Sequence, residues 1–332
     1  MSSTNGFDSP SAALDYIHAP VEQGLERVKA ALHNLVNQES PFLAELLDHA
    51  LETKGKRIRP ALTLLAAGFH TNDGKHAETM ATAVELLHIA TLIHDDTVDH
   101  SEVRRGKATI SKLWGGNAAV LLGDYVFATS ATYVCDTGNI RVIKRFAETI
   151  MELANGELQE MAVSYDASQT REQYFGRIYD KTASLFTTAT ESGAVLSGAP
   201  ESVAKALKDY GYSLGMAFQI IDDILDIEGS ANEVGKPVGN DIRQGVLTIP
   251  MILAQERQPD STAIQDYFTE PSNDGLLKRA MEMVGEADII REAYRVAEGY
   301  CESALRSLEG LPKNRSRDSL EALVQYVIMR RS

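Results

Sequence analysis

Apolar residues recur at steps of three and four through almost the whole chain, and this spacing restricts the fold more than any other feature. Val21, Leu25, Val28, Leu32 and Leu35 mark one apolar helix face. Ser40 is placed to N-cap a second helix beginning at Pro41, whose missing N–H costs nothing at the first helical position. Further helices are predicted over 59–69, 76–99, 116–135, 140–164, 171–197 and 201–228, with weaker ones near 248–257, 274–285, 288–309 and 316–330. Turns at Gly55, Asn72-Asp73-Gly74, Gly138-Asn139 and Ser197-Gly198-Ala199-Pro200 separate them. No alternating β-branched run is flanked by hairpin turns, so strands should be nearly absent. Ten prolines in 332 residues suit long helices. A solenoid is disfavoured by the lack of a fixed period, and no Pro/Gly-rich linker divides the chain. The expectation is a single all-α domain over residues 1–332, built from ten or more helices.

At 44% hydrophobic and 24% charged residues, the chain has material for a large core. Its 47 acidic side chains exceed its 32 basic ones by 47 − 32 = 15, which argues against binding nucleic acid or an anionic membrane. Cys135 and Cys301 lie in no C-x-x-C pair and read as buried thiols, with no zinc site. The first residues lack a basic stretch followed by an apolar one, unlike a signal peptide. No uninterrupted apolar run approaches the ~18 residues of a membrane span. A cytoplasmic protein is expected.

One motif occurs twice: Asp95-Asp96-Thr97-Val98-Asp99 and Asp222-Asp223-Ile224-Leu225-Asp226, each at the end of an apolar helical run. On a helix, Asp95 and Asp99 share a face one turn apart, as do Asp222 and Asp226. Like charges at that spacing repel, so the pattern calls for a cation. Magnesium suits it, taking one or two carboxylates per ion and leaving positions for phosphate oxygens. The bland alternative, a solvated acidic face, explains one copy better than two. Basic segments bracket both clusters. Gly55-Lys56-Arg57-Ile58-Arg59-Pro60 enters a helix, where backbone N–H groups also favour an anion. Arg104-Arg105-Gly106 follows the first cluster, and Lys236 lies in a turn after the second. Together these cations point to diphosphate binding.

The segments GKRIRP, LLHIATLIHDDTVDHSEVRRGKAT, GDYVFA, GELQEM, DKTASLF and AFQIIDDILDIEG…GKPVGNDIRQG, in this order, resemble the trans-polyprenyl diphosphate synthase family. The motifs fall within residues 55–250, and the likeness continues more weakly to both ends. The resemblance implies helices around a central cavity, a homodimer and three magnesium ions. It implies that Asp95, Asp96, Asp99, Asp222, Asp223 and Asp226 hold an allylic diphosphate through metal, an indirect role for Asp223 also being open. Arg104, Lys181 and Lys236 resemble direct contacts to that diphosphate. Lys56, Arg59, His88 and Arg105, with Arg57 adjacent, match the residues that hold isopentenyl diphosphate. Thr182 and Gln219 fall beside the developing allylic cation. His94 has no assigned role.

In such enzymes the growing tail runs along the helix that ends in the first motif. Ala90 and Thr91, five and four residues before Asp95, are not aromatic, and no two-residue insertion splits the motif. The top of the channel is therefore expected to be open. A helix over 76–95 is about 30 Å long at ~1.5 Å per residue. At roughly 4–5 Å per isoprene unit, about six or more units fit, with Leu86 and Leu87 as floor candidates. The expected activity is condensation of isopentenyl diphosphate with an allylic diphosphate to an all-trans polyprenyl diphosphate of medium to long chain. A short-chain farnesyl or geranylgeranyl diphosphate synthase, a class I terpene cyclase and a non-catalytic subunit of a heteromeric synthase are the alternatives. The second aspartate motif and GKRIRP disfavour the cyclase. The complete set of aspartates and cations disfavours the subunit. Arg330-Arg331 could close over bound diphosphate, although a solvated helix end is the simpler reading.

Overall fold

A computed structural model of the chain describes residues 7, 9–37, 40–52, 55–70, 74–229 and 239–330. The expected Lys236, Arg331, Asn72 and Asp73 lie outside the described residues. The helices are α1 (Pro10–His18), α2 (Glu22–Asn34), α3 (Pro41–Leu51), α4 (Ile58–Ala67), α5 (Lys75–Val98), α6 (Ile110–Trp114), α7 (Gly116–Asp136), α8 (Ile140–Ala162), α9 (Arg171–Ile178), α10 (Ser184–Leu196) and α11 (Glu201–Glu228). Then follow α12 (Asn240–Arg243), α13 (Ile249–Arg257), α14 (Ala263–Thr269), α15 (Asp274–Val284), α16 (Ala287–Leu308) and α17 (Arg315–Met329). The all-α expectation holds. Ser40 caps α3 as predicted, its hydroxyl accepting from Leu43 N at 3.4 Å. One predicted helix, 171–197, is interrupted: a π-helical turn over Tyr179–Ala183 separates α9 from α10.

Among the described residues the only strands are β1 (Val103–Arg104) and β2 (Lys107–Ala108), paired antiparallel. Arg105 and Gly106 connect them with φ of 51° and 78°. Two consecutive positive φ values are what a two-residue hairpin loop of the right twist requires, and Gly106 meets them without strain.

The chain divides into two compact units, the first comprising 1–147, 188–208 and 310–323, the second 148–187, 209–309 and 324–332. In the first unit α5 is buried almost all round, Met80, Ala81, Val84 and Leu86 being fully enclosed, which makes it a core helix rather than a surface one. Val28, Leu32, Leu46, Leu47, Ile89, Ala90, Ile93, Leu122 and Val126 form one apolar cluster in this unit. In the second unit Tyr174, Met216, Ile220, Ile224, Leu253 and Tyr326 are fully buried.

One expectation is corrected. Cys301 is buried, and burial pushes its thiol up to about 12, but Cys135 is exposed near the end of α7. Helix α7 alone among the described helices passes a length-and-composition test for a membrane span, a test that core helices also pass. Polar residues such as Asp124 interrupt its apolar run, which is why no continuous stretch marked it.

The π turn owes its place to close approaches. A Cβ on Gly215 of α11 would lie 2.6 Å from Ala183 Cα, and one on Gly156 of α8 would lie 2.8 Å from Lys181 N. Gly215→Ala should therefore destabilise the chain by about 1–3 kcal/mol through overpacking. Gly176 of α9, whose added Cβ meets nothing within 4 Å, is the control. Gly176→Ala should be neutral or stabilising by up to about 1 kcal/mol. Urea denaturation of both variants checks the opposite signs.

Candidate active site

In the first unit, α5 and the loop before α4 assemble a cationic cluster. Arg57 N-caps α4 in the left-handed region (φ 48°, ψ 34°), a costly conformation for a residue with a side chain. Its Nη1 donates to Glu85 Oε1 at 2.8 Å. Arg59 Nη1 lies 3.2 Å from His88 Nε2. The Arg105 guanidinium sits beside Gly55, Nη1 lying 3.1 Å from where a Gly55 Cβ would be. Arg105 is itself left-handed at the hairpin tip, and Lys56 is exposed. Burial holds the His88 imidazole well below its usual pKa, and Arg59, Arg105, Arg104 and Arg57 push it further down. His88 is therefore neutral at pH 7, with Arg59 donating into Nε2. The structure brings together Arg57, Arg59, His88 and Arg105 as a field that an anion would relieve.

The first aspartate cluster ends α5. Asp96 is buried, and Oδ1 accepts from Arg104 Nε at 2.7 Å. Asp99 is the C-cap, its N–H returning to the Asp95 carbonyl at 2.8 Å. Asp95 is half-buried and Asp99 exposed, which leaves this pair toward the outer side of the helix end. His94 takes a packing role: its Nε2 lies 3.3 Å from the Val120 carbonyl oxygen, against Gly123, where a Cβ would be only 2.1 Å from that nitrogen. Ala90 is buried in the apolar cluster, Leu87 is buried, and half-buried Thr91 donates to the His88 carbonyl at 2.8 Å.

In the second unit, the π turn presents Lys181 and Thr182. Lys181 Nζ contacts Glu160 Oε1 at 2.6 Å and Glu157 Oε1 at 3.0 Å. Burial opposes the ammonium charge, but Glu160 and Glu157 outweigh it and raise the Lys181 pKa. Thr182 Oγ1 donates to Gln219 Oε1 at 2.7 Å, and Gln219 Nε2 donates to Asp223 Oδ1 at 2.7 Å. Asp223 Oδ2 accepts from Tyr174 Oη at 2.6 Å. Burial pushes the Asp223 carboxyl up, and the Tyr174 and Gln219 hydrogen bonds, which favour the ionised form, oppose that shift. Asp226 accepts backbone N–H bonds from Asn240 (3.1 Å) and Asp241 (2.9 Å) at the start of α12. Burial and the charges of Asp226, Asp223 and Glu160 push Asp241 well above the usual carboxylate range. Asp222 pairs with Arg330, whose guanidinium lies 4.4 Å from the Phe218 ring centroid.

Glu85, Glu157, Glu160, Asp241, Tyr174 and the Arg330 contact were not assigned from sequence. Glu157 and Glu160 stand in GELQEM and Asp241 in GNDIRQG, so position in the motifs was the available signal. Among the described residues no three His, Cys, Asp or Glu side chains form a ready metal cage. Magnesium does not need one, since it is held by one or two carboxylates with phosphate oxygens and water. The all-oxygen donors and the carboxylate surplus around Asp226 and Asp241 fit such an ion.

The His88 shift is directly testable. Its imidazole should titrate below the ordinary histidine range, so folding stability should fall as pH drops below about 6.5, where the unfolded chain gains the proton first. Inorganic pyrophosphate bound to the cluster should raise that pKa, measured from the His88 ring resonances by NMR.

Comparison with known proteins gives this arrangement a family. Residues 40–284 match the polyprenyl synthetase family model. Solanesyl-diphosphate synthase 2 of Oryza sativa subsp. japonica is 37% identical over 317 residues, covering 93% of this chain and 78% of the relative. Heptaprenyl diphosphate synthase component 2 of Geobacillus stearothermophilus is 36% identical, covering 95% of this chain and 98% of the relative. A decaprenyl diphosphate synthase from Rhodobacter capsulatus superposes with a TM-score of 0.90 at 36% identity, covering 96% of this chain and 99% of that one. A polyprenyl synthase from Caulobacter crescentus, solved with calcium and isoprenyl diphosphate, gives a TM-score of 0.89 at 32% identity, covering 96% and 98%. The chain belongs to the polyprenyl synthetase family, whose prenyltransferases hold diphosphates with divalent metal ions.

Proposed function

We propose that this enzyme condenses isopentenyl diphosphate with an allylic diphosphate to an all-trans polyprenyl diphosphate of medium to long chain. The observation that carries the reading is the opposite character of the two clusters: Arg57, Arg59, Arg104 and Arg105 around a buried His88, and Asp223, Asp226 and Glu160 around a buried Asp241. In this reading Lys56, Arg57, Arg59, His88 and Arg105 bind the isopentenyl diphosphate headgroup directly. Asp95, Asp96, Asp99, Asp222, Asp223 and Asp226 serve the allylic diphosphate, with Arg104, Lys181 and Lys236 adding cationic contacts. Magnesium, with three ions expected, would neutralise charge on the departing diphosphate.

The chain's own groups account for the remaining chemistry. Ionisation of the allylic carbon–oxygen bond puts positive charge on carbon and negative charge on the leaving diphosphate. Lys181, kept protonated by Glu157 and Glu160, offers a fixed cation to the latter. Thr182 and Gln219 supply oxygen lone pairs beside the former. The isopentenyl double bond then attacks the cation, and proton loss restores a trans alkene. The released diphosphate is a base of suitable charge for that proton.

The reading includes a homodimer acting in the cytoplasm as one catalytic domain. Val120 and Leu121 on α7 and Ile140, Met151, Leu158 and Met161 on α8 are exposed apolar side chains, of the kind a partner chain would cover. The relative named component 2 supports a second reading, a chain that works with a different subunit. Light scattering and activity of the isolated chain separate the two.

Incubation with labelled isopentenyl diphosphate, farnesyl diphosphate and magnesium should give a labelled polyprenyl product, and EDTA should abolish it. No incorporation with any allylic primer would refute the proposal. Asp95→Ala and Asp222→Ala should each lower kcat by about 10²-fold or more, as loss of transition-state charge stabilisation does. Ala90→Phe should shorten the product seen by chromatography while sparing turnover of short primers. Unchanged product length would show that Ala90 does not line the channel.

A further inference from the structure

Tyr174 has no part in the reading above, yet its position in the second unit is unusually well determined. Its side chain is fully buried on α9. A capping box at Thr170 and Gln173 fixes the start of that helix. Phe175 packs at 5.3 Å between ring centroids, and the buried Arg177, which donates to the Leu247 carbonyl at 2.6 Å, lies 5.9 Å from the Tyr174 ring. The one proton on Tyr174 Oη goes to Asp223 Oδ2 at 2.6 Å.

The donors and acceptors downstream form a directed chain. Asp223 is an acceptor on both oxygens, taking Tyr174 Oη on one and Gln219 Nε2 on the other at 2.7 Å. Gln219 must therefore turn its NH₂ toward Asp223, which turns Oε1 the opposite way. Thr182 donates its only hydroxyl proton to that Oε1 at 2.7 Å. With that proton committed, anything else that approaches Thr182 Oγ1 meets lone pairs. Every proton in the relay points from Thr182 and Tyr174 toward Asp223, so Thr182 Oγ1, at its far end, turns lone pairs outward.

We propose that Tyr174 is a positioning residue that orients the Gln219 amide so that Thr182 presents only lone pairs to the reacting allyl group. This rests on the prenyl-condensing function proposed above. A hydroxyl free to turn its hydrogen outward would oppose positive charge on carbon, whereas one with its proton committed stabilises it without reorganising. Removing the Tyr174 oxygen leaves the Asp223 carboxylate with one anchor instead of two. The carboxylate can then rotate, and the Gln219 amide loses its fixed direction. The loss falls on the step that develops charge, not on the binding of either diphosphate.

The experiment is a double-mutant cycle on the full chain with farnesyl diphosphate, isopentenyl diphosphate and magnesium. Tyr174→Phe, Gln219→Leu and the double variant are compared with the wild type in kcat, in KM for both substrates and in thermal melting. Tyr174→Phe should lower kcat by about tenfold, the scale seen when an outer partner of a reacting group is removed. KM for both substrates, and affinity for the non-ionising analogue farnesyl thiolodiphosphate, should stay within about twofold. In the Gln219→Leu background the same substitution should change kcat by less than about twofold, because no amide remains to be oriented. Unchanged kcat in the single variant would overturn the proposal. So would an equal kcat loss in both backgrounds that tracks a fall in melting temperature, or failure of the variant to fold, since each makes Tyr174 structural. Weaker analogue binding in step with kcat would overturn it too, placing the effect on binding. A wild-type chain that is inactive with every primer would instead refute the underlying function.

Discussion

The close approach of α8 and α11 to the π turn at Tyr179–Ala183 sets where Lys181 and Thr182 stand in the second unit. A π turn inserts one residue into a helix, and an α-helix advances about 100° per residue. An unbroken helix over 171–197 would thus rotate everything beyond the insertion by about that angle. Lys181 would leave Glu157 and Glu160, and Thr182 would leave Gln219. Glycine at 156 and 215 permits the turn, since a side-chain carbon at either position would collide with its backbone. The irregular helix costs backbone hydrogen bonding, and the ion pairs and the Thr182–Gln219–Asp223 relay offset that cost.

How much of this the amino-acid sequence discloses depends on how local each cause is. Helix α5 was expected over 76–99 and runs Lys75–Val98, because many apolar repeats define it. α1, α6, α12 and α14 were not expected, since one or two turns supply too few repeats to show a period. The π turn was invisible for another reason. Tyr-Asp-Lys-Thr-Ala contains no breaker, and the glycines that allow it are remote in sequence. The Arg104–Lys107 hairpin is equally hard to see, with two residues per strand and Arg105-Gly106 as the only sign.

The site followed the same division. A repeated Asp-Asp-x-x-Asp declares itself because like charges one turn apart need a reason. The groups that tune those aspartates do not. Tyr174 is 49 residues from Asp223, and Arg330 is 108 from Asp222. Only the fold brings them together, and each is of a residue type common in plain cores or helix ends. Overall charge was a similarly weak guide. A surplus of 15 acidic groups describes the average surface. The local charges are of both signs: Arg57, Arg59, Arg104 and Arg105 surround His88, and Asp223, Asp226 and Glu160 surround Asp241.

Those two signs make chemical sense if two substrates with the same headgroup have different fates. Isopentenyl diphosphate keeps its diphosphate through the reaction, so that group needs only to be held. Guanidinium groups suffice, because they bind a phosphate geometrically and stay charged at all relevant pH values. The allylic diphosphate must leave, and its oxygen gains charge as the bond to carbon breaks. Stabilising that change takes more concentrated positive charge than surface arginines provide, which divalent ions supply and carboxylates hold. An acidic cluster is then what an anionic leaving group requires, and a basic one is what a spectator anion requires. On the proposed function, Arg57, Arg59 and Arg105 would serve the group that stays, and both aspartate motifs with Lys181 the group that goes.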